Sequence, residues 1–408
     1  MLAMQRAPTA AAAAAAGRSR APLLAAPAGR ARARTVRVRA AKWANPLRDE
    51  VVAAARHIAS PGKGILASDE SNATTGKRLA TVDVENTEER RRDWRELLYT
   101  TPGLGEHVAG CIMFEETLFQ RAADGRQFVD VLLEQGIYPG IKVDTGLQIL
   151  PTTGETATQG LDGLLDRCKA YRAQGARFAK WRAVLTVGPD GEAPSEMATY
   201  DNVHALARYA QIAQEAGLAP IVEPEVGLTP GTYSAERCAE ISVRVYSAVM
   251  EALVVYGVDL EGCILKPNMV LPGLDAPRIP PQEVARLTVD TLRRTIPPAL
   301  PTVNFLSGGM AEAEATENLN ALQAEAARVG GVPWQLSFSY GRALQHSTLN
   351  TWRGAARGSE GWHAAQRMLK SLAAANGAAQ QGKFSGPHPS PAGKDRIVQA
   401  LRVGGSGK

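Results

Sequence analysis

The sequence predicts an α/β protein built as one (β/α)8 (TIM) barrel, and three observations support this prediction. From about residue 46 onward, short apolar runs alternate with longer amphipathic stretches, which is the pattern of strands followed by helices. The apolar runs number eight, which is the strand count of this barrel. Charged residues stand toward the ends of several runs, where barrel enzymes keep their active sites.

The predicted strands are short runs dominated by apolar residues. They cover 63–69, 110–116, 138–144, 176–185, 219–226, 262–270, 301–308 and 334–341. Between them, apolar residues recur every three or four positions, which indicates helices. The clearest helical patterns cover 200–217, 234–257 and 281–296. A doubly wound open sheet is the alternative fold, but it normally has a glycine-rich turn after its first strand, whereas the glycines here precede that strand.

Residues 1–40 differ in composition from the rest and are expected to be an organellar transit peptide. They contain eight arginines and no acidic residue, and the first acidic residue is Asp49. We expect cleavage near Ala40 or Ala41 and a location in the chloroplast stroma, with the mitochondrion as the alternative. The other interpretation of this leader is a disordered basic arm that binds an acidic partner.

Two further domain boundaries follow from composition. Residues 46–376 are assigned to the barrel. Residues 377–408 are rich in glycine, proline, serine and glutamine and are predicted to form a flexible C-terminal tail.

Charge and composition exclude several function classes. Without the eight leader arginines, 38 basic residues face 41 acidic ones, so no nucleic-acid partner is expected. Hydrophobic residues make up 45% and charged residues 21%, which is typical of soluble globular proteins, and no run approaches the roughly 18 apolar residues of a membrane span. The four cysteines lack a C-x-x-C pair and the six histidines lack metal-ligand spacing, so we expect neither a disulfide framework nor a metal.

Charged residues at the ends of five predicted strands form a candidate site. A barrel strand is packed on both faces, so a buried charge without a partner is strongly unfavourable there. The five residues are Asp69, Lys142, Lys180, Glu223 and Lys266. For any one of them, a structural ion pair is the simpler interpretation. Five charges that end five separate strands predict a common polar site instead. Because successive side chains of a strand point to opposite faces, residues two apart share a face. Glu225 therefore shares a face with Glu223, Arg182 with Lys180, and Asp144 with Lys142.

Lys266 is the candidate nucleophile. In an apolar strand near other cations, its ammonium loses hydration and is repelled by like charges, and both effects are expected to lower its pKa from about 10.4. A neutral amine attacks a ketone and forms a Schiff base, which is an electron sink for carbon–carbon cleavage. Glu223 and Glu225 are expected to supply the proton transfers, one being held protonated by the charge of the other. The alternative is a lysine that these glutamates merely neutralise.

Glycine-bearing loops after the seventh and eighth strands are the usual phosphate site of this architecture. Backbone N–H groups there can surround an oxyanion, and Arg342 is expected to pair with it through its planar guanidinium. The loop residues expected to contribute are Ser307, Gly308, Gly309 and Gly341. Lys77 and Arg78, after the first strand, are candidates for a second anion, with a solvated helix start as the alternative.

The motifs together resemble class I fructose-bisphosphate aldolases. The matching segments, collinear over about residues 46–376, are GKGILASDES, MFEETLFQ, GIKVDTG, FAKWRAVL, IVEPEV, LKPNMV, FLSGG and SFSYGRALQ. The resemblance implies a homotetramer that reversibly cleaves fructose 1,6-bisphosphate to dihydroxyacetone phosphate and glyceraldehyde 3-phosphate in glycolysis. It implies no metal or organic cofactor. With an organellar leader, a plastid-type enzyme of the Calvin cycle and starch synthesis is expected.

The resemblance also assigns roles to residues. It implies that Lys266 forms the Schiff base, that Glu223 is the proton-transferring acid and base, and that Asp69 and Lys180 lie beside the cleaved C3–C4 bond. It places one phosphate on residues of the last two strands and their loops, namely Ser307, Gly308, Gly309, Ser339, Gly341 and Arg342. It places the rest of the substrate, including its other phosphate, against Arg78, Lys142, Arg182 and the supporting Thr74.

Three positions depart from the family pattern. Thr145 stands where a lysine is usual, and Met310 where glutamine is common. The family typically ends in a tyrosine that assists proton transfer at C3, whereas the last aromatic residue here is Phe384. We therefore expect slower turnover of the bisphosphate and a weaker preference for it over the monophosphate.

Two other functions stay open from the sequence. The first is a weakly active aldolase homologue that serves as a binding or scaffold protein. The second keeps the Schiff base but acts on another sugar, as in transaldolase-like or sedoheptulose-bisphosphate chemistry.

Overall fold

The computed structural model describes residues 45–391, whose centre is a closed barrel of eight parallel strands. The expected transit peptide (1–40) and residues 392–408 of the expected tail lie outside the described residues. The ten strands, eight in the barrel and two in a hairpin, are β1 Gly64–Ser68, β2 Val108–Met113, β3 Tyr138–Lys142, β4 Gly146–Ile149, β5 Thr156–Gln159, β6 Phe178–Leu185, β7 Ala219–Val226, β8 Ile264–Leu265, β9 Thr302–Phe305 and β10 Gln335–Tyr340.

The barrel prediction is confirmed. The strands pair in the order β1, β2, β3, β6, β7, β8, β9 and β10, and β10 closes the cylinder against β1. All eight predicted strands occur. The antiparallel hairpin of β4 and β5 was not predicted, and it lies between the third and fourth barrel strands along the chain.

β8 is much shorter than predicted. It comprises Ile264–Leu265 only, where 262–270 was expected. Pro267 lacks the N–H group that would continue the ladder. Its carbonyl still accepts a hydrogen bond from Leu306 N at 3.0 Å, and Lys266 N donates to Val222 O at 2.8 Å. The backbone therefore stays tied to both neighbouring strands at the point where Lys266 leaves the ladder.

Twelve α-helices surround the barrel in the described part of the chain. They are α1 Arg48–Ile58, α2 Asn72–Ala80, α3 Glu88–Tyr99, α4 Glu115–Phe119, α5 Phe128–Glu134, α6 Leu164–Gln174, α7 Glu196–Glu215, α8 Ala235–Val255, α9 Pro281–Thr295, α10 Glu312–Arg328, α11 Arg342–Trp352 and α12 Glu360–Gln380. α7 begins four residues before its predicted start, because the Ser195 hydroxyl caps it by accepting a hydrogen bond from Ala198 N at 3.1 Å. No helix among residues 45–391 is long and apolar enough to cross a bilayer.

The start of the C-terminal tail differs from the prediction. Residues 377–380 belong to α12, which carries buried residues to its end. Beyond it, His388 Nε2 lies 3.2 Å from Thr316 Oγ1, and Ser390 Oγ lies 3.1 Å from Ser347 Oγ. The glycine, proline and serine content therefore marks an irregular segment that hydrogen-bonds to α10 and α11.

The amino-terminal end of the barrel is filled by two phenylalanines that need glycine opposite them. A Cβ at Gly64 would lie 2.6 Å from the ring of Phe338, and one at Gly140 would overlap the ring of Phe178. Gly140 and Phe178 are direct partners in the β3–β6 ladder, and both phenylalanines are fully buried. Strand glycines here make room for large side chains inside the barrel.

We predict that Gly140→Ala destabilises the protein by about 1–3 kcal/mol, because the added methyl group overpacks the barrel interior. Denaturant unfolding of the wild-type and variant proteins measures the difference. The double variant Gly140→Ala/Phe178→Leu is the control and recovers part of the loss. An equally destabilised double variant would show that the Phe178 ring is not the cause.

Candidate active site

A cavity of about 640 Å³ opens at the carboxyl ends of the barrel strands. Its lining includes fourteen of the fifteen residues that the sequence analysis assigned to the site. They are Asp69, Thr74, Arg78, Lys142, Lys180, Arg182, Glu223, Glu225, Lys266, Ser307, Gly308, Ser339, Gly341 and Arg342. Gly309 does not line the cavity, and neither does Lys77, which is exposed on α2.

A buried chain of charges occupies the floor of the cavity. Lys180 Nζ lies 2.7 Å from Asp69 Oδ2 and 3.2 Å from Glu223 Oε2. The other oxygen of Glu223, Oε1, lies 3.1 Å from Lys266 Nζ. Glu223 and Lys180 are each only 3% exposed, and Lys266 is 4% exposed. The contacts thus run Asp69, Lys180, Glu223, Lys266, with one carboxylate between two amines.

The cations decide the ionisation of these carboxylates. Burial alone would raise the pKa of Asp69 and of Glu223, but the nearby ammonium groups of Lys180 and Lys266 outweigh it and hold both pKa values below their ordinary range. Conversely, burial would lower the pKa of Lys180, whereas Asp69 and Glu223 raise it above the ordinary lysine value. At neutral pH the floor therefore contains ionised Asp69 and Glu223 on either side of a protonated Lys180.

The expectation that Glu223 and Glu225 share a proton is wrong. Arg182 donates to Glu225 from Nη2 at 2.7 Å and from Nε at 3.0 Å, in a two-pronged ion pair. Glu223 instead interacts with the two lysines, which lower its pKa. The two glutamates lie on one face of β7, but each has its own cationic partner from a neighbouring strand. Lys266 forms its ion pair with Glu223, which is the contact that the alternative interpretation of a neutralised lysine named.

Lys142 forms an ion pair with a residue that follows the end of its own strand, β3. Its Nζ lies 2.6 Å from Asp144 Oδ1 and donates to the Asp144 carbonyl at 2.6 Å. Asp144 is buried, and it follows Lys142 by two residues, so both side chains point to the same side of the chain. Lys142 is thereby held at the cavity wall.

An anion-binding corner is formed where β9 and β10 end. α11 begins at Arg342, so the positive end of its dipole faces the cavity. Burial and the nearby cations Arg78 and Arg182 lower the pKa of Arg342 to about 10, against the opposing effect of Glu225. The buried hydroxyl of Ser339 has no hydrogen-bond partner among the described residues. A phosphate here would satisfy that hydroxyl and relieve the repulsion among the arginines.

The glycine pair in this corner is required by packing. A Cβ at Gly308 would lie 2.7 Å from the Leu228 side chain, and Gly309 adopts a φ of +74°. The Gly309 carbonyl accepts a hydrogen bond from Arg278. Gly309 thus shapes the loop without reaching the cavity.

Several cavity residues escaped the sequence analysis. Glu70 follows Asp69 directly and forms an ion pair with Arg78, so its position beside a predicted residue was the available signal. Tyr171 donates to Glu115 Oε1 at 2.8 Å, and both come from helices whose periodicity gave no sign of a functional role. Thr145, the first departure from the family pattern, also lines the cavity, whereas Met310 is buried outside it.

No group of three or more histidine, cysteine, aspartate or glutamate side chains within residues 45–391 is arranged to hold a metal ion. The four cysteines are free and buried.

We predict that Glu223→Gln costs about 3 kcal/mol of stability at pH 7, because it leaves two buried amines without their shared carboxylate. The pKa of Glu223 is lower in the folded than in the unfolded protein. The contribution of Glu223 to the stability of the fold is therefore complete above the pKa of an unfolded glutamate, about 4.3. It is lost as the pH falls through the lower pKa of Glu223 in the folded protein. Urea unfolding of the wild-type protein and of Glu223→Gln between pH 7 and pH 3 should show that the difference in their free energies of unfolding becomes smaller in acid.

The matched control is Glu240→Gln, which removes an exposed ion pair with Arg237. This substitution should change the free energy of unfolding little at any pH. A gap between wild type and Glu223→Gln that stayed constant or widened in acid would contradict the lowered pKa.

Comparison with known proteins agrees with the fold and the cavity. The family model described as "Fructose-bisphosphate aldolase class-I" matches residues 50–402. A cytoplasmic isozyme of fructose-bisphosphate aldolase from Spinacia oleracea is 52% identical over 339 residues, which cover 83% of this chain and 92% of the relative. Fructose-bisphosphate aldolase from Dictyostelium discoideum is 51% identical over 341 residues, covering 83% and 93%.

A solved structure is also similar. It is the ternary complex of fructose-bisphosphate aldolase from Plasmodium falciparum with TRAP and a small molecule inhibitor. It is 48% identical to this chain, with a TM-score of 0.80, and the match covers 84% of this chain and 96% of that one.

Together, the barrel, the cavity and these matches define a carbon–carbon lyase. The chain belongs to the class I fructose-bisphosphate aldolase family, and its reaction is the cleavage of fructose 1,6-bisphosphate in glycolysis. The family resemblance found in the sequence is confirmed.

The predicted location is contradicted. We expected the chloroplast stroma, with the mitochondrion as the alternative, but the relatives from Spinacia oleracea, Arabidopsis thaliana and Cicer arietinum are named as cytoplasmic or cytosolic isozymes. The prediction depended on residues 1–40, which lie outside the described part of the chain. The plastid-type assignment and its Calvin-cycle role lose their support with it.

Proposed function

We propose that Lys266 forms the Schiff base with the C2 ketone of fructose 1,6-bisphosphate and that Glu223 moves the protons this step requires. The observation that carries the proposal is the contact of 3.1 Å between Lys266 Nζ and Glu223 Oε1 inside the cavity. A nucleophilic amine and a proton acceptor within reach of each other are the two groups that imine formation needs.

Imine formation begins with transfer of a proton from the Lys266 ammonium to Glu223. The neutral amine then attacks C2, and a proton moves to the former carbonyl oxygen, which gives a carbinolamine. Glu223 returns its proton to the C2 hydroxyl, which leaves as water while the nitrogen lone pair forms the C=N bond. The nitrogen is then positively charged again, so Glu223 has a cationic partner before and after the step.

Carbon–carbon cleavage follows from the charge on this nitrogen. Removal of the C4 hydroxyl proton by Asp69 lets the C3–C4 electron pair flow into the iminium ion, which forms an enamine and releases glyceraldehyde 3-phosphate. Lys180, which contacts both Asp69 and Glu223, keeps Asp69 ionised and ready to accept that proton. Protonation of the enamine at C3 and hydrolysis of the imine release dihydroxyacetone phosphate and restore Lys266.

The cavity offers an anion site on each side of Lys266. C2 is bonded to Lys266 at the end of β8, so the C1 phosphate falls to the adjacent β9 and β10 ends. The residues proposed for it are Ser307, Gly308, Gly309, Ser339, Gly341 and Arg342, with Gly309 acting through the loop. The C6 phosphate and the sugar hydroxyls then extend toward the other wall, where Arg78, Lys142, Arg182 and Thr74 are proposed to contact them.

The quaternary structure and location belong to the proposal as well. We infer a homotetramer from the family membership, and light scattering of the purified protein tests it. The names of the relatives favour the cytosol for this chain.

We predict that borohydride traps dihydroxyacetone phosphate on Lys266 and that Lys266→Met abolishes both trapping and cleavage. The reduced adduct is located by peptide mass spectrometry. Glu223→Gln should still form the adduct but about 10²–10⁴-fold more slowly, because the amine remains while its proton acceptor is lost.

Borohydride without the ketose is the control and should leave Lys266 unmodified. An adduct on another lysine, or undiminished cleavage by Lys266→Met, would overturn the assignment. Negligible cleavage by the wild-type protein with phosphate binding intact would support the binding-protein alternative. A higher kcat/KM for another ketose phosphate would support the alternative substrate.

A further inference from the structure

We propose that Glu70 is a positioning residue that holds Arg78 ready for the second phosphate of the substrate, and that the buried Arg95 anchors Glu70 in that role. The inference rests on the proposed function, in which Arg78 contacts the bisphosphate. Glu70 acts through Arg78 and sets the preference for two phosphates over one.

The Glu70 carboxylate joins two arginines of opposite accessibility. Its Oε1 accepts a hydrogen bond from Arg78 Nη1, and its Oε2 accepts one from Arg95 Nη2 at 2.8 Å. The side chain of Arg78 is 28% exposed, whereas that of Arg95 is 3% exposed and lies outside the cavity lining. One oxygen of Glu70 is therefore committed to the protein interior, and the other faces the substrate side.

Arg95 is fixed firmly enough to serve as an anchor. It projects from α3, and its Nη2 also lies 3.3 Å from Thr75 Oγ1 and 3.4 Å from the Glu70 carbonyl. Glu70 raises the pKa of Arg95 against the effect of burial, so Arg95 stays charged. A buried cation without its carboxylate is strongly unfavourable, which keeps Glu70 in place when Arg78 moves.

Glu70 also connects the two anion sites. Gln345, on α11, donates from Nε2 to Glu70 Oε1 at 3.1 Å and to the Ala67 carbonyl at 2.6 Å. α11 begins with Arg342, which the proposed function places on the C1 phosphate. The same carboxylate oxygen thus accepts from Arg78 on one side and from the phosphate-binding helix on the other.

This arrangement prepares Arg78 for an incoming phosphate. A guanidinium has five N–H donors, so Arg78 keeps Nη1 on Glu70 while its other donors turn to the ligand. Holding a flexible side chain in its bound position reduces the conformational entropy lost on binding. Glu70 remains ionised next to Arg78, since Arg78 and Arg95 together lower its pKa against burial. A sugar without a phosphate at C6 gains nothing from the arrangement.

The test compares fructose 1,6-bisphosphate with fructose 1-phosphate as substrates of Glu70→Gln, Arg95→Met and Arg78→Met. We expect Glu70→Gln and Arg95→Met to raise KM for the bisphosphate roughly tenfold while KM for the monophosphate and both kcat values stay within about twofold. Arg78→Met should raise KM for the bisphosphate by at least as much, because it removes the contact itself. Arg95→Lys, which keeps the charge, should recover part of the loss. A purely structural role would lower kcat for both substrates instead.

Arg91→Met is the matched control. Arg91 lies one turn from Arg95 on α3 and pairs with Glu116 at 2.7 Å, but neither residue lines the cavity, so both KM values should be unchanged. Circular dichroism checks the fold of each variant, and Glu70→Gln together with Arg95→Lys decides the question should Arg95→Met fail to fold.

The outcomes separate the two claims. If Arg78→Met raises KM for the bisphosphate but Glu70→Gln and the Arg95 variants do not, the positioning role is overturned and the proposed function stands. If Arg78→Met leaves both KM values unchanged, its proposed contact with substrate fails and the inference falls with it.

Discussion

The account depends on one carboxylate shared by two buried amines. Glu223 lies between Lys180 and Lys266 at 3.2 Å and 3.1 Å, in a cavity floor where none of the three is more than 4% exposed. Isolated charges at that depth would be strongly unfavourable, so each one requires the others. The same contact that makes the charges tolerable also places the proposed proton acceptor, Glu223, beside the proposed nucleophile, Lys266. Stability and chemistry therefore depend on the same atoms.

Barrel closure is what brings these atoms together. Parallel strands present their carboxyl ends on one rim, so residues more than a hundred positions apart become neighbours, as Asp69 and Lys180 do. Pro267 ends the short β8 at the point where Lys266 enters the cavity. At the other end of the cylinder, glycines opposite Phe178 and Phe338 leave the interior densely packed. The packed end supports the strands, and the polar end carries the charges.

The sequence was informative where a simple period governs structure. The eight apolar runs predicted eight strands, and the charges inside them predicted a shared rim. All the candidate site residues except Gly309 and Lys77 line the cavity. The sequence did not predict which charged side chains pair with each other across neighbouring strands. Glu223 and Glu225 lie on one face, and Arg182 is the register partner of Glu223 on the neighbouring strand. Its guanidinium nevertheless pairs with Glu225, while Glu223 contacts Lys180 and Lys266. Arg95 was missed because an arginine on a helix looks like any solvated charge until its burial is known. Glu70 was missed because its pairing with Arg78 and Arg95 is visible only in the fold.

The most direct test is a crystal structure of the borohydride-reduced complex with dihydroxyacetone phosphate. The account requires continuous density from Lys266 Nζ to C2 of the ligand, with a Glu223 oxygen within about 3 Å of the bonded centre and the phosphate against Ser339 and Arg342. A ligand bound through another lysine would contradict the shared-carboxylate account. So would a Glu223 turned away from an otherwise correct adduct.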